Sequence, residues 1–311
     1  MSFVLAIHGG AGAMPRHAVT PEAEAGYRAG LRASLLAGYG VLASGGSALD
    51  AVTAAVVALE DDPRFNAGRG SVLTTEGRPE MDAAVMNGPD RAAGAVAGVC
   101  GPRNPVLAAR AVMERSSHVL LIGEGAERFC RAHGVAFEPA TYFLTPRRVK
   151  ALEDELERQR INAPDLRDDF ARHGTVGAVA RDARGMLAAA TSTGGMTAKL
   201  PGRVGDSPIF GAGTWADETC AVSATGYGEL FIRTAAAHEI ASRMRYLGQT
   251  IEAAAEAVIT ALAQFGGSGG LIAVGREGGV AQPFSSEGMY RGAIGPDGVA
   301  RVAIYGEALG A

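Results

Sequence analysis

Residues 172–195 read RHGTVGAVARDARGMLAAATSTGG. A densely charged segment stops at Gly174-Thr175, and a run of small and β-branched residues begins at once. The two apolar runs around the turn DARG (182–185) predict a β-hairpin, with Thr193 closing its second arm. Thr175 by itself says little, because a β-branched residue commonly opens a strand. The boundary gains meaning if the Gly174–Thr175 bond is cut. Thr175 then carries a free α-amine, whose reference pKa of ~7.7–8 suits a general base near neutral pH. A hydroxyl and its base on one residue make the N-terminal-threonine form of an activated nucleophile. Gly174 contributes backbone angles that other residues avoid.

Ahead of the cut lies ALEDELERQRINAPDLRDDFARH (151–173), with eleven charged residues and almost no large apolar surface. Its first part reads as a solvated helix and the rest, broken at Pro164, as a linker. The chain therefore divides into 1–174, whose last residues from about 151 form a flexible charged linker, and 175–311, which begins with the nucleophile. Both parts are expected to form one domain.

Elsewhere, FVLAI (3–7) reads as a strand leading into the tight loop HGGAG. Thr20-Pro21 predicts the capped start of an alanine-rich helix running to about Ser44. Ser47 with Asp50 predicts a second helix ending near Glu60. Short strands follow over 70–100, then a helix from Pro105 to about Arg115, a strand at 118–122 and a helix over 124–133. Beyond the hairpin come two strand-like segments, helices at about 229–246 and 250–264, and closing strands from LIAVG (271–275). Helices arrive in blocks rather than alternating singly with strands. That predicts a layered sandwich with helices covering mixed or antiparallel sheets, not a doubly wound parallel sheet.

Composition removes several function classes. The chain has 311 residues, 47% hydrophobic and 20% charged, which suits a globular protein with a substantial core. Its 44 glycines, spread among many alanines, point to close packing and tight turns rather than disorder. A net charge of −4 and no sustained basic run give no reason to expect nucleic acid or an anionic membrane as partner. No apolar stretch approaches a membrane span and MSFVLAIHGG lacks a signal peptide's basic start, so a cytoplasmic protein is expected. Three scattered cysteines, Cys100, Cys130 and Cys220, form neither a disulfide framework nor a metal pattern.

Local motifs point to other hydrolases and fail. HGGAG with GGSGG (266–270) suggests an α/β-hydrolase, but the histidines stand at 8, 17, 118, 133, 173 and 238, so none follows Ser268. AHEIA (237–241) lacks the second histidine of a zinc helix.

GTVGAVA, AATSTGGMTAKLPGRVGDSPIFGAG and TGYGE together resemble the plant-type asparaginase, or isoaspartyl peptidase, family of N-terminal-nucleophile hydrolases. HGGAG, FNAGRGSVLT, MDAAVM and the segment from GAVAGV to RNPVLAARAVME resemble the same family, so the likeness covers nearly the whole chain outside the linker. It implies an αββα sandwich of the α+β class, autocleaved between Gly174 and Thr175 into subunits assembling as (αβ)₂. The activity implied is hydrolysis of L-asparagine and β-aspartyl dipeptides with no organic cofactor.

Thr175 matches the family's nucleophile, Thr193 its hydroxyl neighbour and Asn66 an orienting residue. Arg203 and Asp206 match the clamp for a substrate's α-carboxylate and α-ammonium. The chemistry agrees, since arginine offers a carboxylate a fork and aspartate accepts from an ammonium; a local ion pair is the simpler reading of the two alone. The Thr225 hydroxyl and Gly226 amide, before a predicted helix, match an oxyanion hole, and Gly228 lines the pocket. Resemblance alone implies a structural Na⁺ held by backbone carbonyls of Leu59, Glu60, Asp62, Phe65, Ala67 and Arg69. Tyr227 departs from the smaller residues or histidine of relatives and puts dipeptide preference in question. Glycosylasparaginases differ in carrying an aspartate before the nucleophile, and a taspase-like protease has no use for the GRVGD clamp. From another class, an uncut, non-catalytic amino-acid-binding protein is the alternative.

Overall fold

The computed structural model describes residues 3–12, 16, 19–161 and 174–310. In the first part, β1 (Val4–Ala11) is followed by α1 (Pro21–Ala43) and α2 (Ala48–Glu60). Next come β2 (Met81–Asn87), β3 (Ala93–Val99), α3 (Pro105–Arg115), β4 (Leu120–Ile122), α4 (Gly123–Ala132), α5 (Ala140–Phe143) and α6 (Pro146–Arg160). After the masthead pair Gly174-Thr175 stand β5 (Val176–Arg181), β6 (Leu187–Thr193), β7 (Thr214–Ala216) and β8 (Cys220–Gly226). The chain closes with α7 (Gly228–Thr234), α8 (Ala236–Leu247), α9 (Ile251–Gln264), β9 (Gly269–Gly275), β10 (Val280–Ala281), β11 (Met289–Ile294) and β12 (Arg301–Ala303).

The helix starts use the predicted caps. Thr20 Oγ1 accepts from Ala23 N at 3.2 Å with Pro21 at the first helical position, and Ser47 Oγ accepts from Asp50 N at 3.0 Å. The DARG hairpin forms as read: Asp182 Oδ1 accepts from Arg184 N at 2.9 Å and Met186 N at 3.0 Å, closing the β5–β6 turn.

One sheet has the order β12-β11-β1-β5-β6-β2-β3-β4, the other β10-β9-β8-β7. Every neighbouring pair is antiparallel except β3 with β4. Alternation along the strands sorts the side chains into three packed layers. Leu5, Ile7, Val176 and Ala178 face Leu31, Leu35, Val56 and Leu59 of α1 and α2. Ala6, Val179, Leu187 and Ala189 face Ala221, Ile272 and Val274 across the gap between the sheets. Val222, Ala224, Leu271 and Ala273 face Ile240, Ala254, Val258 and Leu262 of α8 and α9. The result is the four-layer αββα sandwich.

Two expectations need correction. Residues 151–160 form the helix expected of that part, as the end of α6, but not a flexible linker, since Leu152 packs with Leu73 and Ala198. Arg148 is buried on the same helix, its Nε donating to the Gly70 carbonyl, so the charges outside conceal an anchored inner face; residues 162–173 lie outside the described residues. The helix expected over 229–246 is two helices, because Ala235 adopts a left-handed conformation (φ 48°). Ala237 N and His238 N then donate to Ala212 O and Gly211 O, so the second helix docks on the loop before β7.

Candidate active site

Period-two alternation turns the hydroxyl-bearing positions of β6 and β8 toward the other sheet, where Thr191, Thr193, Ser223 and Thr225 interrupt an otherwise apolar layer. All four are buried, as is Thr175, which precedes β5. In the uncut chain Thr175 Oγ1 donates to Thr193 Oγ1 at 3.2 Å. Thr193 Oγ1 donates to the Gly174 carbonyl at 2.9 Å and accepts from Gly195 N at 2.9 Å.

The Gly174 carbonyl receives a second donor, Asn66 Nδ2 at 2.8 Å. The same nitrogen donates to Gly195 O at 2.8 Å while Asn66 Oδ1 accepts from Val72 N at 2.9 Å, which fixes the orientation of the amide. Two donors on one carbonyl oxygen are what a tetrahedral intermediate at that carbon requires. Gly174 has φ +146°, a conformation that side chains disfavour. Thr175, Thr193 and Asn66, assigned from three distant motifs, thus meet around one peptide bond.

Arg203, Asp206 and Gly226 line the same slot, which has room of only about 10 Å³, little more than one water-sized molecule. Gly174 and Thr175 both border it. Arg203 and Asp206 do not form the simple local ion pair. Arg203 Nε and Nη2 donate to Glu229 Oε1 and Oε2 at 3.0 and 2.9 Å, a side-on fork that holds the guanidinium. Asp206 is buried, and its Oδ2 has no hydrogen-bond partner. Burial pushes this carboxyl up to about 7. A buried carboxylate oxygen without a donor beside an oriented guanidinium matches the two charged groups of a free amino acid. Gly228 leaves that corner open, since a Cβ there would lie 2.8 Å from Asp206 Oδ1 and 3.1 Å from Arg203 Nη2.

Thr225 Oγ1 accepts from Ala11 N at 3.1 Å, which leaves its proton to donate elsewhere. The helix behind it, α7, has only seven residues. The candidate oxyanion donors are therefore the Thr225 hydroxyl and Gly226 amide themselves, without a long helix's dipole. Tyr227, 40% exposed, stands between Gly226 and Gly228 at the helix start.

Leu59 and Glu60 end α2, and Asp62, Phe65, Ala67 and Arg69 follow on the segment that carries Asn66; none of the six lines the slot. A Cβ at Gly68 would lie 2.5 Å from Glu60 O, and one at Gly70 would meet Phe65 O and, at 2.8 Å, Pro63 O. The two glycines thus let the backbone pack closely against Glu60 O, Phe65 O and Pro63 O, while Leu59 O, Asp62 O and Ala67 O accept from Asp62 N, Phe65 N and Gly70 N. Among the described residues no cluster of three His, Cys, Asp or Glu side chains is placed to hold a metal.

Several polar residues escaped the sequence reading: the buried His8, Ser223, Asp82 and Lys199, and the half-buried Glu229. Asp82 and Lys199 are buried beside the slot, with Lys199 Nζ donating to Glu80 O at 2.7 Å. The usable signal was a polar residue at an inward position of an apolar strand, which alternation exposes only once strand register is known. The cysteines behave as expected of packed thiols: burial pushes Cys130 up to about 11 and Cys220 up to about 12. No helix among the described residues is long and apolar enough to cross a membrane.

Comparison with known proteins places the same residues in context. The sequence profile of a family described as asparaginase matches residues 1–304. The isoaspartyl peptidase of Salmonella typhimurium is 54% identical over 295 residues, covering 93% of this chain and 94% of that protein. The Escherichia coli isoaspartyl peptidase is 52% identical, covering 93% and 91%. The human isoaspartyl peptidase/L-asparaginase is 43% identical, covering 93% and 92%.

Proposed function

The chain belongs to the asparaginase family, and from that premise we propose that it is a self-processing threonine hydrolase acting on L-asparagine and β-aspartyl dipeptides. The observation that carries the reading is the Gly174 carbonyl, held by Asn66 and Thr193 directly beside the Thr175 hydroxyl.

In processing, Thr175 Oγ attacks the Gly174 carbonyl carbon. The C–N bond breaks, its nitrogen takes the hydroxyl proton, and water hydrolyses the resulting ester. Gly174 leaves as a carboxylate and Thr175 keeps a free amine and hydroxyl. Departure of the Gly174 end opens the slot to a substrate of amino-acid size. Arg203 takes its α-carboxylate, and the Asp206 carboxylate takes its α-ammonium. The side-chain carbonyl then faces Thr175 Oγ.

The Thr175 amine removes the hydroxyl proton as the oxygen attacks, and Thr225 and Gly226 donate to the oxyanion. The proton passes to the leaving ammonia or amino acid. Water, activated by the same amine, hydrolyses the β-aspartyl ester to aspartate. The subunits assemble as (αβ)₂ in the cytoplasm. The backbone carbonyls of Leu59, Glu60, Asp62, Phe65, Ala67 and Arg69 would hold a structural Na⁺, which would steady the segment that carries Asn66.

Thr175→Ser tests the reading. It keeps the hydroxyl and the prospective amine but drops the methyl group that restricts the side-chain rotamer. Cleavage should slow, intact mass should resolve two fragments, and the smaller should begin Ser-Val-Gly. An uncut amide nitrogen has no useful basicity, so activity should follow the cleaved fraction and extrapolate to zero for pure precursor. Precursor as active as its processed form would sink the mechanism. A chain that stays intact and binds aspartate without turnover would instead be a binding protein.

A further inference from the structure

His8 is fully buried and takes no step in the chemistry above. Regular pairing of β1 with β5 ends at His8 opposite Gly177, two residues short of the nucleophile, and a bulge follows between His8 and Gly10. The His8 ring spans the interval. Its Nδ1 lies 3.0 Å from the Thr175 carbonyl oxygen, and its Nε2 lies 2.8 Å from Ser223 Oγ.

Thr191 Oγ1 lies 2.7 Å from Ser223 Oγ and 2.7 Å from Thr214 Oγ1. Four strands, β1, β8, β6 and β7, therefore each give one member to a polar chain inside the apolar layer between the sheets, and all four side chains have 0% exposure. Gly177 leaves the room for it: a Cβ there would lie 2.0 Å from Ser223 Oγ and 2.4 Å from His8 Nε2.

The Thr175 carbonyl sets the protons at the His8 end of this chain. A carbonyl oxygen only accepts, so His8 Nδ1 must carry the proton. Burial holds the ring neutral, lowering its pKa to about 3 against the opposing pull of the Thr175 bond. A neutral ring with Nδ1 protonated accepts at Nε2, so Ser223 donates there and Thr191 donates to Ser223, while the Thr214 hydroxyl has Thr191 Oγ1 at 2.7 Å and the Ser207 carbonyl at 2.9 Å as acceptors.

We propose that His8 is a positioning residue for Thr175, holding the nucleophile's carbonyl through Nδ1, and that Ser223, donating to Nε2, supports the tautomer that makes this bond. The proposal rests on the functional reading above. Cleavage turns Thr175 into a chain end, and chain ends fray unless tied. Its hydroxyl and amine must nevertheless stay fixed against a substrate held by Arg203 and Asp206, and a misplacement of about 1 Å costs roughly a hundredfold. The His8 bond ties the residue on the side away from both reacting groups.

The test uses processed enzyme, with rates expressed per cleaved chain and the fold checked by circular dichroism and thermal melting. His8→Leu should lower kcat for asparagine about 10- to 100-fold, with KM changing less than about threefold because the clamp is intact. His8→Asn, whose amide nitrogen reaches the place of Nδ1, should recover most of that loss. Ser223→Ala should give a smaller loss in kcat. Nitrogen-15 NMR of histidine-labelled wild-type enzyme should place the His8 proton on Nδ1, and this readout needs neither turnover nor the folding of a variant.

A proton on Nε2, a His8→Asn variant as slow as His8→Leu, or a loss carried by KM would each overturn the proposal. Wild-type enzyme without hydrolase activity would instead remove the functional reading, while the NMR result would still decide whether His8 holds Thr175 as described.

Discussion

At one end of the β5–β6 hairpin, around Thr175 and Thr193, the cavity has room of about 10 Å³; at the other, around Arg181, Arg184, Asp217 and Arg276, it has about 500 Å³. By size alone the wide cleft would be the site. The hydrogen bonds say otherwise. In the wide cleft Asp217 accepts from Trp215 Nε1, Thr219 N and Oγ1, Cys220 N and Arg245 Nη2. Its carboxyl sits below the usual range, because these donors outweigh the opposing effect of burial. At the slot, Asp206 Oδ2 is buried with no hydrogen-bond partner, and burial raises the carboxyl. Charges at one end are satisfied by the fold; at the other they remain available for a ligand.

The comparison breaks first at Thr175. Thr175→Ala should leave a folded, intact chain by mass and reduce kcat by on the order of 10⁴-fold or more, as loss of a covalent nucleophile does. Comparable loss from any substitution in the wide cleft would put the chemistry at the wrong end.

The next largest effect belongs to the clamp. Arg203→Ala or Asp206→Asn removes a charge-assisted contact worth ~1.5–3 kcal/mol, so kcat/KM for asparagine should fall about 10- to 150-fold while the melting temperature holds. Asp206 must be ionised to bind an ammonium. With its carboxyl raised to about 7, wild-type KM should improve as pH rises from 6 to 8, and Asp206→Asn should lose that dependence. Titration of the Thr175 amine would appear in kcat as well, which separates the two groups.

Why one end was readable and the other was not follows from where the information sits. Thr175, Thr193, Arg203 and Asp206 lie in short contiguous motifs, and the hairpin, the caps at Thr20 and Ser47 and the blocks of helices are local signals. Arg203's partner was not local: Glu229 stands 26 positions away and meets it only through the turn into α7. The His8–Ser223 contact spans 215 positions and depends on the register of two sheets. Charge pattern misled over 151–160, because Leu152 and the buried Arg148 and Glu155 on one face of α6 are outnumbered by exposed charges.

Glu229 sharpens the comparison with a smaller effect. It stands partly in solvent, its side chain 40% exposed, and its role is to orient Arg203 rather than to touch substrate. Screened pairs of this kind are worth ~0.2–1 kcal/mol, so Glu229→Gln should lower kcat/KM by about two- to fivefold, chiefly through KM. A loss as large as that of Arg203→Ala would show that Glu229 itself meets the ligand.

The smallest kinetic effect is expected in the wide cleft, where Asp217→Asn should leave kcat/KM within about twofold of wild type. Its stability should nevertheless fall. Asp217 is fully buried, and the amide both weakens the pairing with Arg245 and sets NH₂ donors where Thr219 and Cys220 already donate. A loss of about 1–3 kcal/mol in denaturant unfolding is the expected cost of such unmatched buried groups. The pH dependence gives the sign. The folded carboxyl is depressed, so its stabilisation is fully present above the unfolded value of about 3.9 and is lost as pH falls through the lower folded value. Wild type and variant should therefore differ most at neutral pH and converge in acid. If Asp217→Asn were instead as stable as wild type at pH 7 but slow in turnover, the wide cleft would be a working site, and the contrast between satisfied and waiting charges would fail at the end where it is easiest to test.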